Sequence, residues 1–563
     1  MAKKKTKLEL TWIGKENRPK LEPRILIEDT EKSYHAAQRH SENDIFDNQL
    51  IFGDNLLALK ALEQEFTGKI NCIYIDPPYN TGAAWEHYDD GVEHSLWLSL
   101  MRERLEVLWR LLDKKAGSLW VSIDDREMAY LRVLLDEVCG RGCFVATNVW
   151  QKRYSRENRE AIGDTHEYIY VYATNPIKFK ELRNLIPLQA KQTKQYSNPD
   201  HDPRGQWQSV SLLAQGYRPN QMYEITAPNG RIHTPPAGNC WKIIRSEYDK
   251  LIVDNRVYFG RKGDGVPRRK HFLVDAKGVV PWTWWPHEDV GHTGEAKNEA
   301  NTLFGADVSF ETPKPERLIK RIVEIATGPG DLVLDSFLGS GTTAAVAHKM
   351  GRRWIGIELG EHCHTHCLPR LQKVIGGEDP GGITKAVNWK GGGGFRYYRL
   401  GPSLIIEDEW GNPVINSEFN AAMLAEAMCK LEGFEYAPSE DIYWIHGKST
   451  ETDFLYVTTQ FMSKEMLTRM SDEVGPERSL LICCSAFRCD PGQFPNLTIQ
   501  KIPKAVLKKC EWGHDDYSLE IENLPKAPLE PEEPAEDEHT KPRRKYGKGN
   551  PAQASLFDKG GDQ

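Results

Sequence analysis

The chain is organised around Asp76-Pro77-Pro78-Tyr79-Asn80-Thr81-Gly82, which directly follows the apolar run at residues 70–75. The apolar run predicts a buried strand. The two prolines after it stiffen the loop, because each ring fixes φ and removes a backbone N–H donor. The result is a rigid platform at a sheet edge, presenting a carboxylate, a carbonyl and an aromatic ring. Such a platform suits a flat molecule with an exocyclic amine, such as a nucleobase turned out of its stack.

Strands and helices alternate on both sides of this platform. Helices are expected at residues 56–66, 96–112 and 126–138, and strands at 117–123, 145–150 and 168–172. This alternation predicts an α/β fold with a doubly wound, Rossmann-like sheet. Changes in composition and in strand–helix alternation divide the chain into six parts. They are an N-terminal arm (1–49), a first core half (50–180), an insertion (181–311), a second core half (312–402), a smaller C-terminal α/β domain (403–524) and a disordered tail (525–563).

A second motif lies far downstream, at Asp335-Ser336-Phe337-Leu338-Gly339-Ser340-Gly341-Thr342-Thr343. It passes from a short apolar strand into a helix, whose N-terminus presents free N–H groups. Its glycines let the backbone approach a ligand closely. The next strand, at residues 354–358, ends in Glu358 about 20 residues on, where nucleotide-type sites bind ribose hydroxyls.

With the segment Thr312-Pro313-Lys314-Pro315-Glu316-Arg317-Leu318-Ile319, these two motifs resemble the β-class amino-methyltransferases of DNA. The order also fits that class, since the Asp-Pro-Pro-Tyr element comes first, an insertion follows and the Gly-Ser-Gly element comes last. The flanking residues 53–56, 74–82, 122–125 and 166–168 look most like the modification subunits of type III restriction systems.

The resemblance implies transfer of a methyl group from S-adenosylmethionine to adenine N6 of a flipped base in duplex DNA, in a restriction-modification or phage-defence system. The catalytic residues would be Asp76, Pro77, Pro78 and Tyr79, with Asn80 and His166 lining the base pocket. The residues expected to bind the cofactor are Asp335, Phe337, Gly339, Ser340, Gly341, Thr342, Glu358 and Lys314. Glu358 would take the ribose, and Lys314 would lie near the cofactor or its loop.

Other functions stay open at this point. The Asp form of the motif usually accompanies adenine, but the chemistry would also accept cytosine N4. A chain of another class would only recognise DNA for a partner nuclease or helicase. Methylation of RNA or of a protein glutamine is a further possibility, and the long basic, aromatic insertion favours DNA over a protein substrate.

The insertion at residues 181–311 is rich in arginine, lysine and tryptophan, as a groove for phosphates and bases would be, and is interpreted as a target-recognition domain. The alternative is an accessory domain with a tryptophan core. The cluster Arg261, Lys262, Arg268, Arg269 and Lys270 is the expected phosphate contact.

Composition places the protein in the cytoplasm, at the nucleoid when it is bound to DNA. The 11 cysteines have no disulfide-framework spacing, and no apolar run reaches the ~20 residues of a membrane span. The formal net charge is −8, so DNA affinity must come from local basic patches. The ligand-rich segment 362–367 is interpreted as a surface helix, and no metal is expected.

Further partners are expected at the tail and between chains. Residues Gln553-Ala554-Ser555-Leu556-Phe557 resemble the peptide with which replication and repair proteins bind the sliding clamp, and Gln553, Leu556 and Phe557 would make that contact. A restriction or helicase subunit and a homodimer are the other expected assemblies.

Overall fold

The computed structural model describes residues 9–79, 90–155, 161–188, 193–305, 310 and 312–518, with the backbone alone for residues 90–93. Within these ranges, no helix has the length and apolar character needed to cross a membrane.

The first part of the chain alternates strands and helices as predicted, with ends displaced by a few residues. Its elements are β1 (Leu26–Glu28), β2 (Tyr34–His35), β3 (Asn48–Phe52), α1 (Asn55–Phe66), β4 (Cys72–Ile75), α2 (Asp90–Leu111), β5 (Ser118–Ile123), α3 (Met128–Leu135), β6 (Phe144–Gln151), β7 (His166–Ala173) and α4 (Pro176–Leu182). Helix α1 begins at Asn55 because the Asp54 carboxylate accepts the Leu57 N–H at 3.0 Å and so caps the helix.

The insertion folds into short antiparallel ribbons and then returns to the core. Its elements are β8 (Trp207–Ser211), β9 (Leu213–Gln215), β10 (Ile225–Thr226), β11 (Ile232–His233), β12 (Asn239–Trp241), α5 (Arg245–Val253), β13 (Val257–Tyr258), β14 (Arg268–Phe272), β15 (Trp284–Trp285), α6 (His287–Val290) and α7 (Thr293–Phe304). Strand β15 pairs with β6, so the last part of the predicted insertion belongs to the central sheet.

The tryptophans of this region divide into two groups. Trp207 and Trp241 are buried and help to form a core, as the accessory-domain interpretation expects, and Trp285 is buried in the core of the central sheet. Trp282 and Trp284 are exposed, so among these tryptophans only they could meet a base without unfolding of the insertion.

The remaining elements complete the core and form the C-terminal domain. They are α8 (Glu316–Ala326), β16 (Leu332–Asp335), α9 (Thr342–Lys349), β17 (Arg353–Glu358), α10 (Leu368–Gly376), β18 (Gly394–Leu400), β19 (Ile405–Glu407), β20 (Pro413–Ile415), α11 (Ala421–Glu432), β21 (Glu435–Tyr436), β22 (Gly447–Lys448), β23 (Asp453–Val457), β24 (Phe461–Met462), α12 (Lys464–Val474), β25 (Ser479–Cys484), β26 (Ala486–Phe487) and β27 (Leu497–Lys501). Strands β21, β22, β23, β25 and β27 make a separate five-stranded sheet, as expected of a small α/β domain.

The central sheet has the strand order β1-β18-β3-β17-β16-β4-β5-β7-β6-β15, with β2 paired to β18. One apolar cluster packs α1, α2 and α3 on one face of the sheet, and a second packs α8, α9 and α10 on the other. The predicted doubly wound, Rossmann-like α/β fold is therefore confirmed. Two strands of the predicted N-terminal arm, β1 and β2, hydrogen-bond to β18 and extend the sheet.

The chain reverses its direction of progress across the sheet between β16 and β4. These two strands are parallel neighbours, yet β4 leads through α2 to β5 on one side, and β16 leads through α9 to β17 on the other. In open α/β sheets the crevice outside the carboxyl ends of such strands binds ligands. Both sequence motifs follow these two strand ends.

Candidate active site

Asp76 is the first residue after β4, and the two prolines hold it at the sheet edge. Pro77 is buried and Pro78 is exposed. The Pro78 carbonyl accepts the Trp97 indole N–H at 2.7 Å, which fixes the loop against α2. The platform predicted from the sequence is thus held by its own ring geometry and by one buried side-chain contact.

Both oxygens of the Asp76 carboxylate already have donors. The Tyr79 hydroxyl donates to Oδ1 at 2.6 Å, and the Lys314 ammonium donates to Oδ2 at 2.5 Å. Lys314 was expected near the cofactor or its loop. The structure brings it to the platform, with its ammonium 5.2 Å from the centre of the Tyr79 ring.

The charges of the platform shift the pKa values of its side chains. Burial alone lowers the pKa of Lys314, but the carboxylates of Asp76 and Glu167 outweigh it and the net shift is upward. Burial, together with the same two carboxylates, raises the pKa of Tyr79 well above its ordinary value. Lys314 is therefore a cation and Tyr79 a neutral hydroxyl donor at physiological pH.

The second motif follows β16 as predicted, and backbone groups define its geometry. The buried Asp335 carboxylate accepts the Phe337 N–H at 2.9 Å. Gly341 has a φ of +78°, in the left-handed region, and a Cβ there would lie 3.3 Å from the Cα of Cys367. Glycine is required at this position on both grounds. Burial raises the pKa of Asp335 to about 7.

Glu358 ends β17, as the sequence predicts, beside the loop of residues 335–341, which we call the Gly-rich loop. Its carboxylate accepts the N–H groups of Gly339, Leu359 and Gly360 at 2.7, 2.9 and 3.0 Å, and contacts His362 Nε2 at 2.8 Å. The hydrogen bond to Glu358 raises the pKa of His362. Glu358 thus fixes the Gly-rich loop in addition to facing the cleft.

Two adjoining cavities connect the motifs. The larger, of about 360 Å³, is lined by Asp54, Asn55, Asp76, Pro78, Leu100, Arg104, Ser336, Phe337, Gly339, Glu358, Leu359, His362 and Ser518. The smaller, of about 80 Å³, has Lys314, Asp335, Ser340, Thr342 and Thr343 among its lining residues. Both are lined by Asp76, Phe337 and Gly339, so the platform and the Gly-rich loop border one continuous cleft.

Buried ion pairs join the loop of Lys314 to the Gly-rich loop. Glu316 pairs with Lys349 and Arg370, and Arg370 donates to the Ser340 carbonyl at 3.2 Å and to the Thr342 hydroxyl at 2.8 Å. Arg370 has no sequence signal of its own, because it depends on a helix that follows the motif by some 30 residues.

The structure does not bring His166 to the platform, and its neighbour Glu167 lies there. Successive side chains of a strand face opposite ways. His166 contacts Tyr168 at 2.9 Å on one face of β7, whereas Glu167 accepts the Tyr79 hydroxyl at 3.1 Å on the other. Strand β7 is antiparallel to β5, so its first residues lie at the edge where β4 ends. Alternation along the strand shows that the two side chains face opposite ways, but not which of them faces the platform.

The basic cluster of the insertion contains four exposed residues and one buried residue. Arg261, Lys262, Arg268 and Arg269 are exposed, and the Arg268 guanidinium donates to the Ser209 hydroxyl at 2.6 Å. Lys270 is 1% exposed and its ammonium lies 3.0 Å from Asp202, so direct contact with DNA is excluded for that residue. Its side chain belongs to the buried face of β14.

The remaining predicted residues are those of the base pocket, the tail and the ligand-rich segment 362–367. Asn80, Gln553, Leu556 and Phe557 lie outside the described residues. Among the described residues, no group of three or more metal-ligand side chains is found. The ligand-rich segment supports the cleft, because the Cys367 thiol donates to the Gly339 carbonyl at 3.0 Å and His364 contacts the Tyr397 hydroxyl at 2.7 Å.

The amino-acid sequence is similar to those of several known DNA-modifying enzymes. The "Probable type III restriction-modification enzyme HindVI Mod subunit" of Haemophilus influenzae is 33% identical over 66% of this chain and 56% of its own length. The StyLTI Mod subunit of a type III enzyme of Salmonella typhimurium is 34% identical over 57% and 52%. The DNA adenine methyltransferase YhdJ of Escherichia coli is 25% identical over 57% and 82%.

The chain spans about half the length of the two Mod subunits that it matches. A family model described as DNA methylase matches residues 70–367, just over half of the chain. The match begins just before β4 and ends at Cys367, whose thiol contacts the Gly339 carbonyl. The chain therefore belongs to the DNA methylase family.

Proposed function

We propose that this protein methylates adenine N6 at a specific site in duplex DNA, with S-adenosylmethionine as the methyl donor. One observation carries the proposal: the Asp76 platform and the Asp335–Gly341 loop border one cleft at the point where the sheet reverses its order. A base amine and a methyl donor must meet at about van der Waals distance for transfer, and this cleft adjoins both candidate sites.

The cleft fits a nucleoside-type cofactor. Its volume of about 360 Å³ lies in the usual range of ~300–1,000 Å³ for small-molecule sites. The buried Ser336 hydroxyl has no hydrogen-bond partner among the described residues, as expected of a group that serves a ligand. The carboxylates of Asp335 and Glu358 can accept from an ammonium and from ribose hydroxyls. When bound, S-adenosylmethionine supplies a methyl group already activated on a positively charged sulfur.

The chain's own residues would act on the base. The Asp76 carboxylate would accept a hydrogen from the target amine, and the Pro77 carbonyl a second. These contacts draw the nitrogen toward pyramidal geometry and release its lone pair from the ring. Tyr79 would offer its ring to the extruded base, which offsets part of the lost stacking, a few kcal/mol.

Adenine is the base that the relatives support. YhdJ is named as a DNA adenine methyltransferase, and the Asp form of the platform usually accompanies adenine. The names of the two Mod subunits support a role as the modification component of a restriction-modification system, with a restriction subunit as partner. Exposed Arg261, Lys262, Arg268 and Arg269 would contact DNA phosphates.

Single-molecule sequencing of DNA from a methylation-free host tests the proposal. Cells that express the wild-type chain should carry N6-methyladenine at one sequence motif, and cells that express Asp76→Ala should carry none. If the wild-type sample instead carried N4-methylcytosine at one motif, the substrate base would be cytosine rather than adenine. The absence of any new modified base in the wild-type sample, with folded protein present, would contradict the enzymatic proposal.

A further inference from the structure

Four side chains at the platform form a closed ring of polar contacts. The Tyr79 hydroxyl lies 2.6 Å from Asp76 Oδ1 and 3.1 Å from Glu167 Oε2. The Lys314 ammonium lies 2.5 Å from Asp76 Oδ2 and 3.7 Å from the same Glu167 oxygen. Asp76 and Glu167 thus share both of these donors.

The ring poses a problem for a base that enters the site. A carboxylate oxygen has two lone pairs, and each oxygen of Asp76 already uses one of them to accept a hydrogen bond. A target amine that needs the lone pair used by Tyr79 must displace the hydroxyl. Tyr79 is partly buried, and leaving a buried hydroxyl without a partner costs about 1–3 kcal/mol, so simple displacement of Tyr79 from Asp76 would oppose binding of the base by up to that amount.

Glu167 removes that cost. A phenol has one proton and can donate it to one acceptor at a time. The hydroxyl is already within hydrogen-bond distance of both carboxylates, so a turn about its C–O bond moves the donated bond from Asp76 to Glu167. Oδ1 of Asp76 is then free for the amine, and the hydroxyl stays paired.

Lys152 holds Glu167 in place during this exchange. Glu167 is 7% exposed, and a buried carboxylate needs a compensating partner. The Lys152 ammonium lies 3.3 Å from Oε1, the oxygen that Tyr79 does not use, and 2.7 Å from Asp164. One oxygen of Glu167 is anchored, and the other remains available to Tyr79 and Lys314.

We propose that Glu167 is a positioning residue, the alternative acceptor that takes the Tyr79 hydroxyl when Asp76 binds the target amine. The inference rests on the proposed methyltransferase function and deepens it. Glu167 acts through Tyr79 and Lys314 and does not touch the base. The exchange moves one hydrogen bond and transfers no proton, so all four groups keep their charges.

A double-mutant cycle on the full-length protein tests the proposal, with Glu167→Gln, Tyr79→Phe and the double variant. The measurements are the single-turnover methylation rate on a duplex with the target motif, and the Kd of S-adenosylmethionine by calorimetry. Glu167→Gln should slow methylation roughly 10- to 100-fold, with the cofactor Kd unchanged. In the Tyr79→Phe background its effect should shrink to about threefold, because no hydroxyl remains to exchange.

The matched control is Glu137→Gln, which removes a carboxylate–lysine contact of 2.7 Å, to Lys15, away from the cleft. It should leave the methylation rate unchanged. If thermal unfolding shows that Glu167→Gln is not folded, Glu167→Asp replaces it in the cycle with the same expected non-additivity. A Glu167 variant as fast as the wild type, or an additive cycle, would overturn the inference. An inactive wild-type chain would instead refute the proposed function.

Discussion

The two halves of the cleft are built in different ways. At the platform, Asp76 is held by side chains, the Tyr79 hydroxyl and the Lys314 ammonium. At the Gly-rich loop, the contacts are mainly to backbone N–H groups, such as that of Phe337 on Asp335 and that of Gly339 on Glu358. A backbone N–H cannot leave its acceptor unless the chain moves, whereas a side chain can rotate away. The loop is suited to a fixed ligand, and the platform to a partner that is exchanged.

The electrostatics of the two halves differ as well. The Asp76 carboxylate is paired within the protein, with the Lys314 ammonium 2.5 Å from Oδ2. For Asp335, burial is the largest influence and raises its pKa to about 7. The cleft therefore contains one carboxylate, Asp76, that is paired with a cation of the protein, and a second, Asp335, whose charged form a bound cationic ligand would stabilise.

The largest expected effect comes from Asp76→Asn. The amide would direct N–H hydrogens at Lys314 or at the target amine, so we expect the methylation rate to fall about 100-fold or more. The cofactor Kd should stay within about threefold of the wild type, because Asp335 and Glu358 are unchanged. Single-turnover assays and calorimetry measure the two quantities. An equal loss in both would show that the halves are not separate.

Asp335 should make cofactor binding depend on pH. Below about pH 7 the carboxyl is protonated in the folded chain. Affinity for the cationic cofactor should therefore rise as the pH increases toward 7, by at most about tenfold per pH unit. Calorimetric titrations between pH 5.5 and 8.5 measure the slope, which Asp335→Asn should flatten. A slope that survives in Asp335→Asn would assign the dependence to another group.

The same group affects stability in the opposite direction. A carboxyl with a higher pKa in the folded chain than in the unfolded chain binds its proton more tightly when folded. Its contribution to the free energy of unfolding is therefore greatest at low pH, and falls as the pH rises from about 4 to about 7. Urea denaturation of the wild type and Asp335→Asn at pH 5 and pH 8 should show this difference.

A smaller effect is expected at Gly341. Gly341→Ala places a methyl 3.3 Å from Cys367 Cα at a φ of +78°, and Gly351→Ala has a similar φ, +67°, with no atom within 4 Å. Each should lower the free energy of unfolding by roughly 1–2 kcal/mol for the left-handed backbone. Only Gly341→Ala should also weaken cofactor binding, by about tenfold, because the loop must shift. Equal cofactor Kd values for the two variants would contradict the role given to the loop.

The smallest effect is expected at the surface of the insertion. Arg269→Ala should weaken DNA binding a few-fold and reduce the slope of log K against log salt by about one. Lys270→Ala should leave that slope unchanged and lower the free energy of unfolding by about 3 kcal/mol, because it removes a partner of the buried Asp202 carboxylate. Fluorescence anisotropy at several salt concentrations and thermal unfolding distinguish the two.

Local patterns predicted the ends of the strands well. β4 and β16 could be placed because each is a short apolar run that stops at an acid, and Glu358 could be placed for the same reason. His166 was expected in the base pocket from the family resemblance alone, and alternation along β7 shows only that His166 and Glu167 face opposite ways. Which of them faces the platform depends on the pairing of β7 with β5.

By itself, the sequence determined the two motifs, their order and the α/β fold, because periodicity and proline or glycine chemistry act over a few neighbouring residues. Only the tertiary structure decided the partners of the platform. Lys314 reaches Asp76 across 238 residues of chain, and Lys270 turns inward to Asp202 across 68. Contacts between residues so far apart depend on how the strands are ordered and on which face is buried, and no local spacing encodes either.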